Sequence, residues 1–207
     1  VSRLTEARVQ AGAHGAEIIV TPEMYLSGYP CDDLVLRGDF MMEVSAGIDQ
    51  LVKLTEDGGP AIAVGAPRVH KGEIYNSVFI LDGGEQVACF DKVNLPNYGV
   101  FDDKRNFTAG QMPGPIMLRG LKIGFPICED IWESDVVECL QESGAELIIA
   151  INASPFDHTK PELRMQAVVS RSVETDLPII YVNMVGGQDE LVFDGGSFAI
   201  NAGGKLA

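Results

Sequence analysis

Three residues whose side chains could together carry out nucleophilic catalysis, Glu23, Lys92 and Cys128, each follow an apolar run of the sequence. A thiolate is a nucleophile for acyl transfer, and a carboxylate can take the thiol proton. An ammonium group can stabilise the negative oxygen that develops on the attacked carbonyl. Because acidic neighbours disfavour a thiolate, Cys128 needs a cation, and Lys92 can supply it. Together the three residues make a base, a cation and a nucleophile.

Each of these residues also has an ordinary structural explanation. Cys128 fits a small buried hydrophobe, because cysteine is among the most buried residue types. Lys92 fits a solvated lysine at the end of a strand. Thr21, Pro22 and Glu23 fit a helix start, with Thr as N-cap, Pro in the first helical position and Glu in the first turn. Only the arrangement of the three residues in the fold can decide between these explanations.

The elements that must position these residues are visible as apolar, β-branched runs, which predict strands. The predicted strands are residues 16–20, 61–69, 77–81, 86–93, 121–127, 147–152, 179–185 and 197–200. Apolar residues at a 3.6-residue period predict helices over 40–55, 133–142 and 161–175, and the chain start also has a helical pattern. Because Glu23, Lys92 and Cys128 lie at the carboxyl ends of predicted strands, we expect a sheet to bring them to one edge.

The turn signal Leu81-Asp82-Gly83-Gly84-Glu85 joins two strands directly and predicts antiparallel pairing. The sheet is therefore expected to be mixed. Strands separated by helices elsewhere predict layers of helix around sheet, an α/β fold that forms one domain over residues 1–207. Residues 94–115 are rich in Asn, Asp, Gly and Pro, and loops of this length are usually functional.

Composition narrows the class of protein. The chain has 207 residues, 46% hydrophobic and 22% charged, which is ordinary for a globular domain, and its net charge of −15 argues against nucleic acid or an anionic membrane as partner. Its cysteines form no Cys-x-x-Cys pair and no secreted disulfide framework; they are Cys31, Cys89, Cys128 and Cys139. No apolar run is long enough to span a bilayer. We therefore expect a cytoplasmic protein.

Several common signatures are absent from the sequence. There is no Gly-x-Gly-x-x-Gly, no Walker loop, no Gly-x-Ser-x-Gly and no His-Glu-x-x-His. His14, His70 and His158 stand apart from one another, so a zinc site and a Cys/His dyad both lack support. We expect no metal and no cofactor in this chain.

Four ordered segments resemble the nitrilase superfamily, the carbon–nitrogen hydrolases, whose catalytic triad is Glu, Lys and Cys. The segments are residues 22–30, 91–105, 127–132 and 152–156. They are most similar to the glutaminase domains of glutamine-dependent NAD(+) synthetases, and the similarity extends over essentially the whole chain. The resemblance implies a nitrilase-type α-β-β-α sandwich. It also implies that Glu23 is the base, Lys92 the cation and Cys128 the nucleophile.

The resemblance further implies a pocket for L-glutamine, lined by Tyr29, Tyr98, Phe101, Asp103, Glu129, Ser154 and Lys160. Ser154 and Lys160 are expected to bind the α-amino and α-carboxylate groups. Core packing is the alternative explanation for Tyr29 and Phe101, and a solvated loop position is the alternative for Lys160. Asp103 stands where the family usually has a glutamate, so its side chain is one methylene shorter.

The similarity to NAD(+) synthetases further implies a longer protein with a C-terminal synthetase domain, which would use ATP and Mg²⁺ to amidate nicotinic acid adenine dinucleotide. The Ser-Gly-Gly-x-Asp-Ser loop of that domain is absent here, so we expect a glutaminase domain truncated at both ends. The resemblance implies a homo-oligomer with an ammonia tunnel, for which residues 94–115 and 186–190 are candidates. Two alternatives remain open, a stand-alone amidase or carbamoyl hydrolase and a catalytically silent binding module of the same fold.

Overall fold

The apolar runs of the sequence form two β-sheets in the computed structural model, which describes residues 1–207. The strands are β1 (Ile18–Val20), β2 (Ala61–His70), β3 (Glu73–Asp82), β4 (Glu85–Asp91), β5 (Ile116–Leu118), β6 (Leu121–Gly124), β7 (Leu147–Asn152), β8 (Ile179–Asn183), β9 (Val185–Gln188), β10 (Leu191–Asp194), β11 (Phe198–Asn201) and β12 (Lys205–Leu206). The α-helices are α1 (Ser2–Ala13), α2 (Gly38–Leu54), α3 (Asp103–Asn106), α4 (Asp135–Glu142) and α5 (Lys160–Thr175). Short 3-10 turns span Asp32–Leu36, Thr55–Asp57 and Cys128–Ile131.

Both sheets are mixed, as the sequence predicted. The first has the order β1-β2-β3-β4, with β1 parallel to β2 and the remaining pairs antiparallel. The second has the order β12-β11-β8-β7-β6-β5 and is parallel only across β6, β7 and β8. The hairpin between β3 and β4 forms at the predicted turn. Strands β9 and β10 make a separate antiparallel hairpin.

The two sheets pack face to face, and helices cover their outer faces. Between the sheets, Val78 and Ile80 of the first pack with Ile149 and Ile151 of the second. Helices α1 and α2 bury apolar side chains against the first sheet, and α4 and α5 bury theirs against the second. This is the α-β-β-α sandwich that the resemblance implied. None of the helices combines the length and the apolar character needed to cross a bilayer.

Several boundaries differ from the prediction for identifiable reasons. Strand β3 begins at Glu73 rather than 77, because Lys71 and Gly72 both adopt positive φ and form a two-residue hairpin turn after β2. Strand β6 ends at Gly124, because Pro126 has no N–H to donate to a ladder. The predicted strand 179–185 divides into β8 and the start of β9. Residues 186–190, a candidate segment for the tunnel, form most of β9 and its turn into β10.

Candidate active site

Glu23 lies in a tight turn three residues after β1 ends, and not in a helix as the ordinary explanation required. The turn is docked on β2 at Gly65, whose N–H donates to Thr21 Oγ1 at 3.1 Å and whose carbonyl accepts the Leu26 N–H at 3.2 Å. A Cβ added at Gly65 would lie 2.5 Å from the Pro22 carbonyl oxygen. Glycine is therefore required where the turn that carries Glu23 meets the sheet.

The Glu23 carboxylate is fully buried and accepts three hydrogen bonds. Its Oε1 accepts from Asn76 Nδ2 at 2.7 Å and from Lys92 Nζ at 2.9 Å. Its Oε2 accepts from the backbone N–H of Ala153 at 2.8 Å. Because an ionised carboxylate offers about four lone-pair positions, one position on Oε2 remains available to take a proton.

Lys92 immediately follows β4 and has a fully buried side chain. Its Nζ donates to Glu23 and, at 2.7 Å, to Asp103 Oδ2. Burial disfavours the Lys92 ammonium, but the negative charges led by Glu23 outweigh burial and hold the pKa of Lys92 well above its ordinary value. An ammonium has three donors, so one N–H of Lys92 is left for a further acceptor.

Asp103, at the start of α3, joins this network from the predicted glutamine pocket. Besides the ion pair with Lys92, its Oδ1 accepts a 2.9 Å hydrogen bond from the Tyr29 hydroxyl. Burial raises the pKa of Asp103, and Lys92 opposes that rise. Aspartate therefore reaches the lysine despite the missing methylene. Tyr29, buried beside it, serves the ion network and is not merely core packing.

Cys128 is the first residue of the 3-10 turn after β6 and is only 3% exposed. Its φ is +49°, a strained conformation for a side chain other than glycine, and such strain is concentrated at functional sites. Burial raises the pKa of the Cys128 thiol well above its ordinary value; Glu23 adds to the rise and Lys92 opposes it. The thiol is therefore neutral at rest and needs a base to become a nucleophile.

Asp130 ties the strand end at Lys92 to the turn at Cys128. Its buried carboxylate accepts the backbone N–H groups of Asn94 at 2.7 Å, Ile127 at 3.0 Å and Val93 at 3.1 Å. Burial raises the pKa of Asp130 to about 7, while these hydrogen bonds lower it. Asp130 thus fixes two segments of the site relative to each other.

The sequence predicted that the three residues would meet at the edge of one sheet, and this detail is wrong. Glu23 and Lys92 follow strands of the first sheet, whereas Cys128 follows a strand of the second. The candidate site therefore lies where the two sheets face each other. Packing of the sheets, and not a single strand order, brings the charges of Glu23 and Lys92 to act on the thiol.

Other predicted pocket residues lie on the solvent side of this network. The Tyr98 hydroxyl donates to Glu129 Oε1 at 2.9 Å, and the Phe101 ring meets the Tyr98 ring edge-on with centroids 5.4 Å apart. Burial raises the pKa of Glu129, and the bond from Tyr98 opposes it. Tyr98 and Phe101 also line a cleft of about 390 Å³ that includes Lys160. The cleft suits a small polar molecule with an apolar stem.

Ser154 and Lys160 are each held by a residue that the sequence did not single out. The buried Arg164 donates to Ser154 Oγ at 3.1 Å and to the Ser154 carbonyl at 2.8 Å. The Lys160 ammonium lies 4.7 Å from the centroid of the Trp132 ring. Lys160 is half-buried, so it is not the freely solvated loop residue of the alternative explanation.

Four supporting residues were missed by sequence reasoning, namely Asn76, Asp130, Trp132 and Arg164. For Asn76 a signal was available, because a polar residue at the head of an apolar strand is unusual unless its side chain is bonded. Arg164 lies in an amphipathic helix where an arginine normally faces water, so its sequence context carried no signal. No group of His, Cys, Asp and Glu side chains is arranged to hold a metal ion.

A two-sheet sandwich with helical outer layers and a buried Glu–Lys pair beside a strained cysteine defines a class of carbon–nitrogen bond hydrolases. The carbon-nitrogen hydrolase family model matches residues 1–207. The chain belongs to that family.

Two kinds of similar protein bear on the function. One is the glutamine-dependent NAD(+) synthetase of Rhodobacter capsulatus, 41% identical over 199 residues that make up 96% of this chain and 36% of the relative. The solved synthetase of Acinetobacter baumannii, in complex with ADP, has 35% identity and a TM-score of 0.91, covering 100% of this chain and 39% of that one. The other kind is an amidase of Nesterenkonia, 27% identical with a TM-score of 0.84, covering 98% of this chain and 79% of that one. This chain thus spans little more than a third of the length of the synthetases.

Proposed function

We propose that this chain hydrolyses the side-chain amide of L-glutamine and that the ammonia serves the amidation of nicotinic acid adenine dinucleotide to NAD. The observation that carries the proposal is the fully buried Glu23–Lys92 ion pair, 2.9 Å long, whose charges act on the thiol of Cys128. The likeness to the synthetases supports glutamine as the substrate.

In the first step the Cys128 sulfur attacks the amide carbonyl carbon of glutamine. Glu23 accepts the thiol proton on its free Oε2 position, because the other three lone-pair positions are occupied. The negative charge that develops on the carbonyl oxygen is stabilised by the remaining N–H of Lys92 and by the backbone N–H of Glu129. Glu23 then returns the proton to the departing nitrogen, which leaves as ammonia while a thioester remains on Cys128.

In the second step water cleaves the thioester. Glu23 takes a proton from the water, the water oxygen bonds to the carbonyl carbon, and the carbon–sulfur bond breaks. The sulfur regains its proton, and the product is glutamate. Ser154 and Lys160, with neighbouring acids, hold the α-amino and α-carboxylate groups through both steps, while Tyr29, Tyr98, Phe101 and Asp103 line the pocket.

The remainder of the function is proposed for a longer protein. In such a protein a C-terminal synthetase domain with ATP and Mg²⁺ would adenylate the carboxylate of the dinucleotide, and the ammonia would then form the amide bond and displace AMP. A homo-oligomer with an internal tunnel keeps the ammonia from bulk water, with residues 94–115 and 186–190 at its mouth or between subunits. The synthetase of Acinetobacter baumannii was solved in complex with ADP, which supports a nucleotide site in such a longer protein.

The test is to treat the chain with a glutamine analogue that carries a diazo ketone in place of the amide. We expect mass spectrometry to find one adduct on Cys128, and Cys128→Ala to abolish both the adduct and the release of ammonia from glutamine. Cys139→Ala is the matched control, because Cys139 is a free, half-buried cysteine outside the site. An adduct on Cys31, Cys89 or Cys139 in the unmodified chain would refute the assignment.

A second candidate is a stand-alone amidase for small amides. It is favoured by the likeness to the Nesterenkonia amidase, since this chain covers 79% of that protein, and one solved form of it carries acrylamide added at an active-site cysteine. Comparing kcat/KM for glutamine with that for acetamide and propionamide separates the candidates. Faster turnover of the simple amides would favour the amidase.

A further inference from the structure

Asn76 contacts both charged partners of the proposed mechanism. It lies in β3 with none of its surface exposed. Its Nδ2 donates to Glu23 Oε1 at 2.7 Å, and its backbone carbonyl accepts a hydrogen bond from the backbone N–H of Lys92 at 2.8 Å. The resemblance to the family carried no role for this residue.

The orientation of the Asn76 amide is dictated by Glu23. Only the amide nitrogen can donate to a carboxylate, and turning the amide over would set Oδ1 against Glu23 Oε1. In the observed orientation Oδ1 is buried without a hydrogen-bond partner. Because an unpaired buried acceptor is destabilising, the fold keeps an unfavourable arrangement whose evident gain is the bond to Glu23.

We propose that Asn76 is a positioning residue for the base: its hydrogen bond occupies Glu23 Oε1 and leaves the free Oε2 position to the Cys128 thiol. The inference rests on the role of Glu23 in the proposed function. Other titratable groups act on the same carboxylate, namely Lys92, Cys128, Asp103 and Tyr29, with Cys31 and Tyr181 also within its field. None of them replaces the neutral donor of Asn76.

The test measures how the alkylation rate of Cys128 by iodoacetamide depends on pH, using mass spectrometry of the Cys128 peptide. A hydrogen bond to the charged form of an acid favours ionisation. In Asn76→Ala we expect the acidic limb of the profile to move up by about one pH unit, with a roughly tenfold lower rate on that limb. Asn76→Asp, which sets a second carboxylate against Glu23, should move the limb further.

Asn152→Ala is the matched control. Asn152 is also fully buried and also has an unpartnered Oδ1, but its Nδ2 donates to the carbonyls of Ala150 and Val182. We expect its limb to stay at the wild-type pH. The proposal would be overturned if the acidic limb of the alkylation profile stayed at the wild-type pH in Asn76→Ala, or if it shifted equally in Asn152→Ala. Circular dichroism checks that each variant is folded. If Asn76→Ala does not fold, Asn76→Ser is used in its place, because the serine hydroxyl is too short to reach Glu23.

Glutamine turnover separates this inference from the proposed function. With glutamine as substrate, we expect Asn76→Ala to lower kcat about tenfold or more and to leave KM within about threefold. The reason is that Asn76 contacts the base and not the residues predicted to bind the α-amino and α-carboxylate groups. A raised KM with unchanged kcat would contradict the positioning role. A wild-type chain that releases no ammonia, but whose alkylation limb still shifts in Asn76→Ala, would refute the proposed function and leave the role of Asn76 standing.

Discussion

Lys160 is held above the face of the Trp132 indole, with its ammonium 4.7 Å from the ring centroid. The contact restricts a long, flexible side chain on the rim of the cleft that also includes Tyr98 and Phe101. A preorganised ammonium loses less conformational entropy when it binds a carboxylate. Trp132 is therefore expected to assist the binding of glutamine and to have little effect on the chemical steps.

Loss of the contact between Lys160 and Trp132 should weaken the binding of glutamine. Trp132→Leu should raise KM for glutamine about two- to fivefold, because a partly exposed cation–π contact contributes about 0.5–1 kcal/mol. Steady-state kinetics of ammonia release would measure the change, with kcat expected within about twofold. Trp132→Phe keeps an aromatic face and should lie between wild type and Trp132→Leu. An unchanged KM in Trp132→Leu would show that Lys160 needs no such support.

At the scale of elements, the turn that carries Glu23 depends on close contact with β2. The turn meets the strand at Gly65, where an added Cβ would lie 2.5 Å from the Pro22 oxygen and 2.6 Å from the Met24 nitrogen. Both of those atoms belong to the backbone, so no change of rotamer can relieve the clash with an added Cβ. The strand or the turn has to shift, and Glu23 shifts with it.

We therefore predict that Gly65→Ala destabilises the fold by about 1–3 kcal/mol, as overpacking does. It should also lower kcat for glutamine on the order of a hundredfold, since a shift of about 1 Å in a reacting group has effects of that size. Denaturant unfolding and ammonia release measure the two effects. Gly38→Ala is the control, because a Cβ at Gly38, the first residue of α2, meets nothing within 4 Å. Wild-type kcat in Gly65→Ala would contradict this account of the turn.

The net charge of −15 makes the electrostatic field around the whole molecule negative. A negative field attracts ammonium to the surface, but the proposed amidation needs neutral ammonia, which is the minor form near neutral pH. The apolar side chains exposed at the cleft, Tyr98, Val100 and Phe156, interrupt this charged surface. These side chains suit the border of the proposed tunnel, which would keep ammonia from bulk water.

A tunnel for ammonia can be tested in a full-length protein that carries the proposed synthetase domain. With glutamine labelled by nitrogen-15 in its amide and unlabelled ammonium in the buffer, NAD should carry the label in preference to the bulk isotope. Mass spectrometry of NAD measures the ratio, and Cys128→Ala supplied with ammonium alone is the control for direct use of bulk ammonia. Complete mixing of the isotopes would show that no tunnel operates.

Sequence reasoning was sufficient to predict the reactive residue types, most strands and helices, and the family. Those inferences succeed because their signals are local: apolar periodicity, the Asp82–Glu85 turn, and short motifs around Glu23, Lys92 and Cys128. The antiparallel pairing of β3 with β4 was predictable for the same reason. The catalytic assignment of the three residues stays a prediction.

The contacts that hold the site were not predictable from the sequence, because they form only when the two sheets pack. Glu23 accepts the N–H of Ala153, 130 residues away, and Cys128 comes from the other sheet than Glu23 and Lys92. Asn76 and Asp130 gained their roles in the same way. These contacts depend on how two sheets pack face to face, and packing is set by the summed burial of side chains distant in sequence. No pattern within a few residues of Asn76 specifies which carboxylate its amide will meet.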